Sequence, residues 1–336
     1  MAKSDTPRTL LIVSDLHHAG AAERQRVGYE LACAPNWPMR QIVRAYRGLV
    51  WLRNPLGNGL FLDAFLRRAP AADFVVANGD FSADSAFVGV SDVAAFASAA
   101  ECLGKLRDKF GSRLHATIGD HELGKVSLVG GRGGLRLASW PCVTEGLGLQ
   151  PFWRTEWESY VFLGVTSTLI ALPIFEREML PGERADWQSL RAAHLEEIRA
   201  AFAGLRPQQR VLLFCHDPTA LPFLARIPEV AGRTRQVEAT VIGHLHSELI
   251  LRTGRLLSGM PSIGCLGVSV RRMSTALNEG RFWRPFNVQL CPSLTGIQLL
   301  KDGGWLTAEL DPEARRSVQF NFHPLSWRTV ARGLAG

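Results

Sequence analysis

Asp73-Phe-Val-Val-Ala-Asn-Gly-Asp80 is the stretch whose reading decides the fold. Phe74 to Ala77 is a short apolar run with a β-branched pair, which reads as a buried strand. Asn78-Gly79 breaks it, and Asp80 stands just past its end. Taken alone, that carboxylate serves equally well as a helix N-cap or a turn residue. Four more apolar runs end the same way. Leu10–Val13 leads into Ser14-Asp15-Leu16-His17, and Leu114–Ile118 into Gly119-Asp120-His121-Glu122. Val211–Cys215 leads into His216-Asp217, and Ala239–Ile242 into Gly243-His244-Leu245-His246. Ligand sites in open α/β sheets collect at the carboxyl ends of strands. Five such ends furnishing Asp and His describe a metal site.

The rest of the chain is consistent with an ordinary globular protein. Of its 336 residues, 46% are hydrophobic and 21% charged, without repeat or low-complexity tract. No clean linker breaks it, so one domain over 1–336 is expected, with a helical insertion at about 18–72 and a β-rich C-terminal part at about 250–336. The start is polar, and the apolar run after it is too short for a signal-peptide core. No run of about 18 apolar residues follows, so a cytoplasmic location is expected. Six cysteines, at 33, 102, 142, 215, 265 and 291, show no Cys-x-x-Cys spacing and several sit in apolar runs. They read as reduced core residues. A net charge of +7 suits a phosphorylated or otherwise anionic partner. Nucleic acid is compatible with that charge, although no basic-aromatic groove motif is legible. No obligate protein partner is legible either.

Asp15 and His17 leave the first strand two residues apart, so both can face one cation, and His18 points elsewhere. Within 18–72, Arg40, Arg44, Arg47 and Arg53 recur at helical spacing beside Tyr46, Leu49 and Trp51. Such a helix either covers the sheet with solvated arginines or caps the site. In the second case the arginines meet substrate phosphate or, through 39–68, a membrane surface or lipid substrate. A helix from Ser91 to Phe110 follows Asp80, and another spans Glu183–Leu205, with His194 structural inside it. Residues 124–151 are Gly-rich and read as a mobile loop above the site, where Arg132 and Arg136 are candidate substrate contacts or ordinary loop residues. Beyond Tyr160–Val165 and the strands ending at His216 and His246, the pattern turns to short β-runs. These are Arg255–Ser258, Gly264–Val270, Asn287–Leu290, Gly296–Leu300 and Trp305–Leu310. Alternating βα units followed by consecutive strands predict an α/β fold of two packed mixed sheets flanked by helices. In the tail from Ser317, His323-Pro324 reads as packing.

In order, the pattern is Asp-x-His, Gly-Asp, Gly-Asp-His-Glu, His, Gly-His-x-His, spread over residues 15 to 246. It resembles the calcineurin-like metallophosphoesterase superfamily, whose usual set reads Asp-x-His, Gly-Asp, Gly-Asn-His-Asp/Glu, His, Gly-His-x-His. The resemblance implies a two-sheet sandwich and a dinuclear metal-dependent phosphoesterase, in which a metal-bridging hydroxide attacks phosphorus. Two cations about 3.5–4 Å apart would cancel the charge that repels hydroxide from an anionic ester. Imidazole and carboxylate ligands without thiolate favour Mn, with Fe, Zn or Co as alternatives. By position, the family gives the bridging role to Asp80, with Asp15, His17 and His246 at one metal and Asp120, His216 and His244 at the other. It leaves His121 to protonate the leaving oxygen or hold phosphate in line, and Glu122 as an outer partner of a histidine. Asp120 stands where the family has Asn. Its extra charge predicts tighter binding at the second metal and a less acidic bridging water.

Monoesters, diesters and pyrophosphates all suit such a site. The arginine- and aromatic-bearing insertion, with Arg44 and Arg47 as candidate contacts, favours a bulky substrate with a planar or apolar part: a phosphodiester or a nucleotide-linked pyrophosphate. A lipid pyrophosphatase of the UDP-diacylglucosamine type is an alternative, although that branch carries Arg where this chain has His121. The rival class is a non-catalytic scaffold of the same fold. Such proteins usually lack ligands or the equivalent of His121, whereas all are present here.

Overall fold

The computed structural model describes residues 7–259, 261, 275 and 277–332. Ten strands lie among them, named in chain order: β1 (Arg8–Val13), β2 (Phe74–Asn78), β3 (Leu114–Thr117), β4 (Phe152–Trp157), β5 (Tyr160–Val165), β6 (Arg210–Cys215), β7 (Val237–Ile242), β8 (Val288–Leu290), β9 (Gly304–Leu310) and β10 (Phe320–Pro324). They form two five-stranded sheets, ordered β10-β9-β1-β2-β3 and β4-β5-β6-β7-β8. β1, β2 and β3 run parallel, with β9 antiparallel to β1 and β10 to β9. In the other sheet β5 to β8 run parallel and β4 is the antiparallel edge.

The central strands are apolar along their whole length because both of their faces are covered. Alternate residues point to opposite faces. Leu10, Ile12, Phe74 and Val76 form one core layer with Phe162, Leu212, Phe214 and Val241 of the other sheet. Leu11, Val13, Val75 and Ala77 belong to the second, larger core, with Phe65, Leu103, Leu106 and Phe110 from the helices Gly59–Arg68 and Val93–Phe110. Trp187, Ile198 and Phe202 of the helix Arg184–Ala203 join the same core as Val211 and Leu213. The Val93–Phe110 helix starts at Asp92, whose side chain accepts the Ala95 amide at 3.0 Å. The helix Trp37–Leu49, between β1 and β2, is capped by Asn36, which accepts from the Met39 amide at 3.0 Å. The result is an α/β sandwich of two mixed sheets with helices outside.

Several sequence expectations need correction. Arg255–Ser258 is the end of the helix Glu248–Leu256 and a following turn, not a strand. Gly296–Leu300 is a set of turns, opened by Gly296 at φ 72°. Gly264–Val270 lies outside the described residues. The 124–151 segment contains a short helix at Ser139–Pro141 and a wide turn at Cys142–Gly146. Five cysteines are free among the described residues, four of them buried. No described helix is long and apolar enough to cross a membrane.

The carboxyl ends of β1, β2, β3, β6 and β7 converge where the two sheets meet. Asn78, last residue of β2, ties them there: its side-chain amide donates to the Val241 carbonyl at 3.4 Å. Its own carbonyl accepts the His216 Nδ1 hydrogen at 2.6 Å.

Candidate metal centre

Each strand end must reverse sharply and still aim a polar side chain inward. Asp15, His17, Asp80, His244 and His246 do so in the left-handed backbone region, at φ 50°, 43°, 59°, 58° and 61°. Non-glycine residues avoid that region at a cost of about 1 kcal/mol or more each, and such strain gathers at functional sites. The glycines before them leave room. Gly79 sits at φ 84°, and a Cβ there would stand 2.8 Å from His216 Nδ1. A Cβ on Gly243 would overlap Ser14 Oγ and Asp15 Oδ2. Backbone bonds stitch the turns together: the Asp15 amide donates to the Gly79 carbonyl at 3.2 Å and the His17 amide to the Asp80 carbonyl at 2.9 Å.

Two groups of ligand-type atoms result. The first is Asp15, His17 and His246. The two Nε2 atoms of His17 and His246 face each other at 3.1 Å, and His246 Nε2 lies 3.3 Å from Asp15 Oδ1. The second is Asp80, Asp120, His216 and His244. His216 Nε2 lies 3.2 Å from Asp80 Oδ2 and 3.4 Å from Asp120 Oδ1, and His244 Nδ1 lies 3.0 Å from Asp120 Oδ1. Atoms bound to one cation at about 2.1 Å stand roughly 3 Å apart, so both groups have the right scale. Asp80 Oδ2 is also 3.8 Å from His17 Nε2, which places it between the groups. His121 Nε2 approaches the same oxygen at 3.7 Å, and His17, Asp80 and His121 make a third, overlapping set.

The donor set fits divalent cations. Asp80 Oδ2, Asp120 Oδ2 and His216 Nε2 are buried without a hydrogen-bond partner. Asp15, Asp80 and Asp120 are essentially without solvent exposure, and buried carboxylates need a counter-charge or a metal. The donors are nitrogen and oxygen only.

The electrostatics divide the histidines. Burial opposes charge on His216, but Asp80 and Asp15 outweigh it and raise its pKa well above the usual value. For His244, Asp217 and Asp120 similarly overcome burial. Burial prevails at the other three, lowering His17 to about 4 and holding His121 and His246 well below the ordinary range, with Lys125 acting in the same direction. Burial also raises Asp15 to about 6.

Among the described residues, the hydrogen-bond partners of the Glu122 carboxylate are backbone amides. Its Oε1 accepts the Phe81 amide at 2.7 Å, and its Oε2 accepts the amides of Asp80 at 3.0 Å and Gly119 at 2.8 Å. Three backbone donors at the turns compete successfully for the one carboxylate. His121 Nδ1 donates to the Ala83 carbonyl at 3.1 Å, leaving a buried Nε2 without a partner. His18 faces Glu101 at 3.1 Å, and His194 Nε2 accepts the Thr166 amide at 3.1 Å.

Of the four candidate arginines, only Arg47 reaches the site. It lines a cavity of about 70 Å³ beside His17, His121 and His246. Arg44 is bound to Gln41 on the helix surface at 2.9 Å. Arg132 is exposed, and Arg136 donates to the carbonyls of Leu135 and Gly133 within its own loop. Sequence reading missed Lys125, whose Nζ stands 3.8 Å from Asp120 Oδ2, and Asp217, whose Oδ2 is 3.7 Å from His244 Nε2. Asp217 adjoins His216 and could have been flagged, whereas Lys125 follows a Gly and fits no pattern. Trp51 packs against His246 with ring centroids 4.6 Å apart and the ring planes tilted by 36°.

The Asp and His residues that carried the sequence resemblance are thus gathered in the two groups described above. No family model matches the sequence, and no curated protein does. Among solved structures, a dimetal phosphatase from Danio rerio matches at 12% identity and TM-score 0.46, over 96% of this chain and 98% of that one. A purple acid phosphatase from yellow lupin seeds matches at 10% and 0.43, over 98% and 55%. A phosphopantetheinyl hydrolase from Mycobacterium tuberculosis matches at 17% and 0.36, over 72% and 84%.

Proposed function

We propose that this protein is a dinuclear metal-dependent phosphoesterase. The observation that carries this reading is the position of Asp80 Oδ2, 3.2 Å from His216 Nε2 in one Asp/His group and 3.8 Å from His17 Nε2 in the other. Asp15, His17, Asp80 and His246 would hold one cation, and Asp80, Asp120, His216 and His244 the second. Such a pair, with Mn favoured by the donor set, supplies charge neutralisation and an activated water. In the net reaction water adds across the ester P–O bond, giving the free alcohol and phosphate.

The chain's own residues do the rest. The Asn78 carbonyl holds His216 through Nδ1, so Nε2 is the atom that would give up its proton and face a cation. The Ala83 carbonyl likewise holds His121 through Nδ1. His121 must therefore take up a proton at Nε2 before giving it to the leaving oxygen. Burial resists that uptake, while Asp80 at 3.7 Å and an incoming anionic ester favour it. Lys125 offers a cation beside His121 that an anionic substrate would meet, whereas Arg47 in the same cavity is already paired with Glu30.

The test is hydrolysis of bis-p-nitrophenyl and p-nitrophenyl phosphate by protein reconstituted with Mn and then stripped with a chelator. Turnover that appears with metal and vanishes on chelation is expected. A protein that binds two metals per chain yet turns over neither ester would point to the scaffold instead.

A further inference from the structure

We propose that the solvent face of the helix Trp37–Leu49, together with the turn beside its end, is a docking surface for an anionic lipid bilayer. The surface lies outside the metal centre, and its binding does not depend on the reaction.

The outer face of the helix is apolar where solvent would favour polar residues. At about 100° per residue, Ile42, Ala45 and Leu49 fall within about 60° of one another, and Trp37, Arg40 and Arg44 fill a neighbouring sector of the same width. Val43 and Tyr46 lie on the opposite side, where Val43 is buried. Trp37 is 71% exposed, Ile42 60% and Leu49 69%. Single exposed apolar side chains are ordinary, whereas three large ones on the outer side of one short helix make a patch. The turn at 297–300 extends it. The Leu299 amide donates to the Val50 carbonyl at 3.2 Å, and Leu299 and Leu300 are 56% and 46% exposed.

Charge complementarity selects the occupant. From Leu31 to Leu62 the chain carries Arg40, Arg44, Arg47 and Arg53 and neither Asp nor Glu. Arg47 is paired with Glu30, while Arg40, Arg44 and Arg53 are exposed. Arg44 donates to neutral Gln41, which leaves its charge in place. An apolar stripe with cations along one flank matches the layering of a bilayer surface. Ile42 and Leu49 would enter the acyl boundary, the guanidinium groups of Arg40 and Arg44 would meet lipid phosphates, and Trp37 would sit at the level between. A second copy of the chain fits less well. A two-fold contact through this face would set the same arginines against each other, with no acid from the stretch to meet them. Arg47 and Trp51 of the same segment wall the cavity beside His121, so a docked protein carries its metal centre close to the headgroups.

The experiment is flotation of the full chain with vesicles of equimolar phosphatidylcholine and phosphatidylglycerol, and with vesicles of phosphatidylcholine alone. Binding to the anionic vesicles is expected, weakened by added salt, with binding to the neutral ones about tenfold weaker or more. One arginine near an anionic surface changes binding about fivefold, so Arg40→Gln with Arg44→Gln should weaken it about twentyfold. Ile42→Ser with Leu49→Ser should weaken it about tenfold or more. Both pairs change exposed side chains, so their urea midpoints should match that of native protein. Arg315→Gln with Arg316→Gln is the control. These arginines follow Leu310, which pairs with Arg8 at the start of β1, the end of the sheet away from the metal centre. That pair should float as native protein does. Absence of flotation with anionic vesicles, or equal losses in the control and the Arg40 and Arg44 pair, would overturn the docking surface. A dimer in ultracentrifugation that the Ile42 and Leu49 pair dissociates, in protein that ignores vesicles, would assign the face to self-association instead.

Discussion

Glu122 clasps the turn on which Asp80 stands, its Oε2 accepting the Asp80 amide at 3.0 Å while its Oε1 accepts that of Phe81 at 2.7 Å. With Gly119 as the third donor, one buried carboxylate holds the ends of β2 and β3 in register. Glu122→Ala strands three buried N–H groups, and each unsatisfied group costs about 1–3 kcal/mol. A stability loss of about 3 kcal/mol or more in urea unfolding is expected, with a smaller loss for Glu122→Gln. An unchanged urea midpoint for the alanine variant would mean that water replaces the clasp.

Asp80 and His121 touch through the backbone, since the His121 amide donates to Asp80 Oδ1 at 3.1 Å, yet they should separate functionally. Asp80→Ala is expected to lower metal content at both groups, whereas His121→Ala should keep the metal and lose roughly 10²–10⁴ in turnover. Metal analysis by mass spectrometry decides this. Loss of one metal only from Asp80→Ala would contradict a shared ligand.

Lys125 sits 3.8 Å from Asp120 Oδ2 and also lines the cavity, so one substitution should move two quantities in opposite directions. Lys125→Met removes a cation from beside the ligands and should tighten Mn binding several-fold. It should also weaken inhibition by inorganic phosphate, because the same cation faces the substrate side. Asp120→Asn should weaken Mn binding at its group. A Lys125→Met protein with both constants unchanged would show Lys125 to be a solvated bystander.

His194 provides a pH handle away from the site. Burial lowers its pKa, and neutral Nε2 accepts the Thr166 amide. The unfolded chain therefore binds its proton first, near the usual 6.5, so stability falls as pH drops below that value. The slope from this one group is at most about 1.4 kcal/mol per pH unit. Urea midpoints at pH 7.5 and 5.5 should fall further apart in native protein than in His194→Gln. Identical differences would remove His194 from the acid sensitivity.

Much of the fold was legible because the ligand-bearing strands are covered on both faces, as β1 and β2 are, and read as unbroken apolar runs stopped by Gly or Asp. The strands that escaped notice are edges. β4 reads Phe-Trp-Arg-Thr-Glu-Trp, and β10 carries Asn321, His323 and Pro324, because one side of an edge strand meets solvent. The reverse error at Arg255–Ser258 came from Leu256-Leu257, an exposed pair at the end of the helix Glu248–Leu256 whose buried face carries Leu251. The Asp and His groups were readable as motifs. The contacts of Trp51 with His246 and of Glu122 with three amides were not, since tertiary pairing leaves no local period.

The five ligand-type residues in left-handed backbone carry one more implication. At each of them glycine would relax the chain, so the conformational optimum and the chemical optimum diverge at the same positions. A thermostability screen run without an activity filter would tend to erode Asp15, His17, Asp80, His244 and His246 before it touched the sheets. Directed evolution of this scaffold therefore needs metal retention as a co-selected trait.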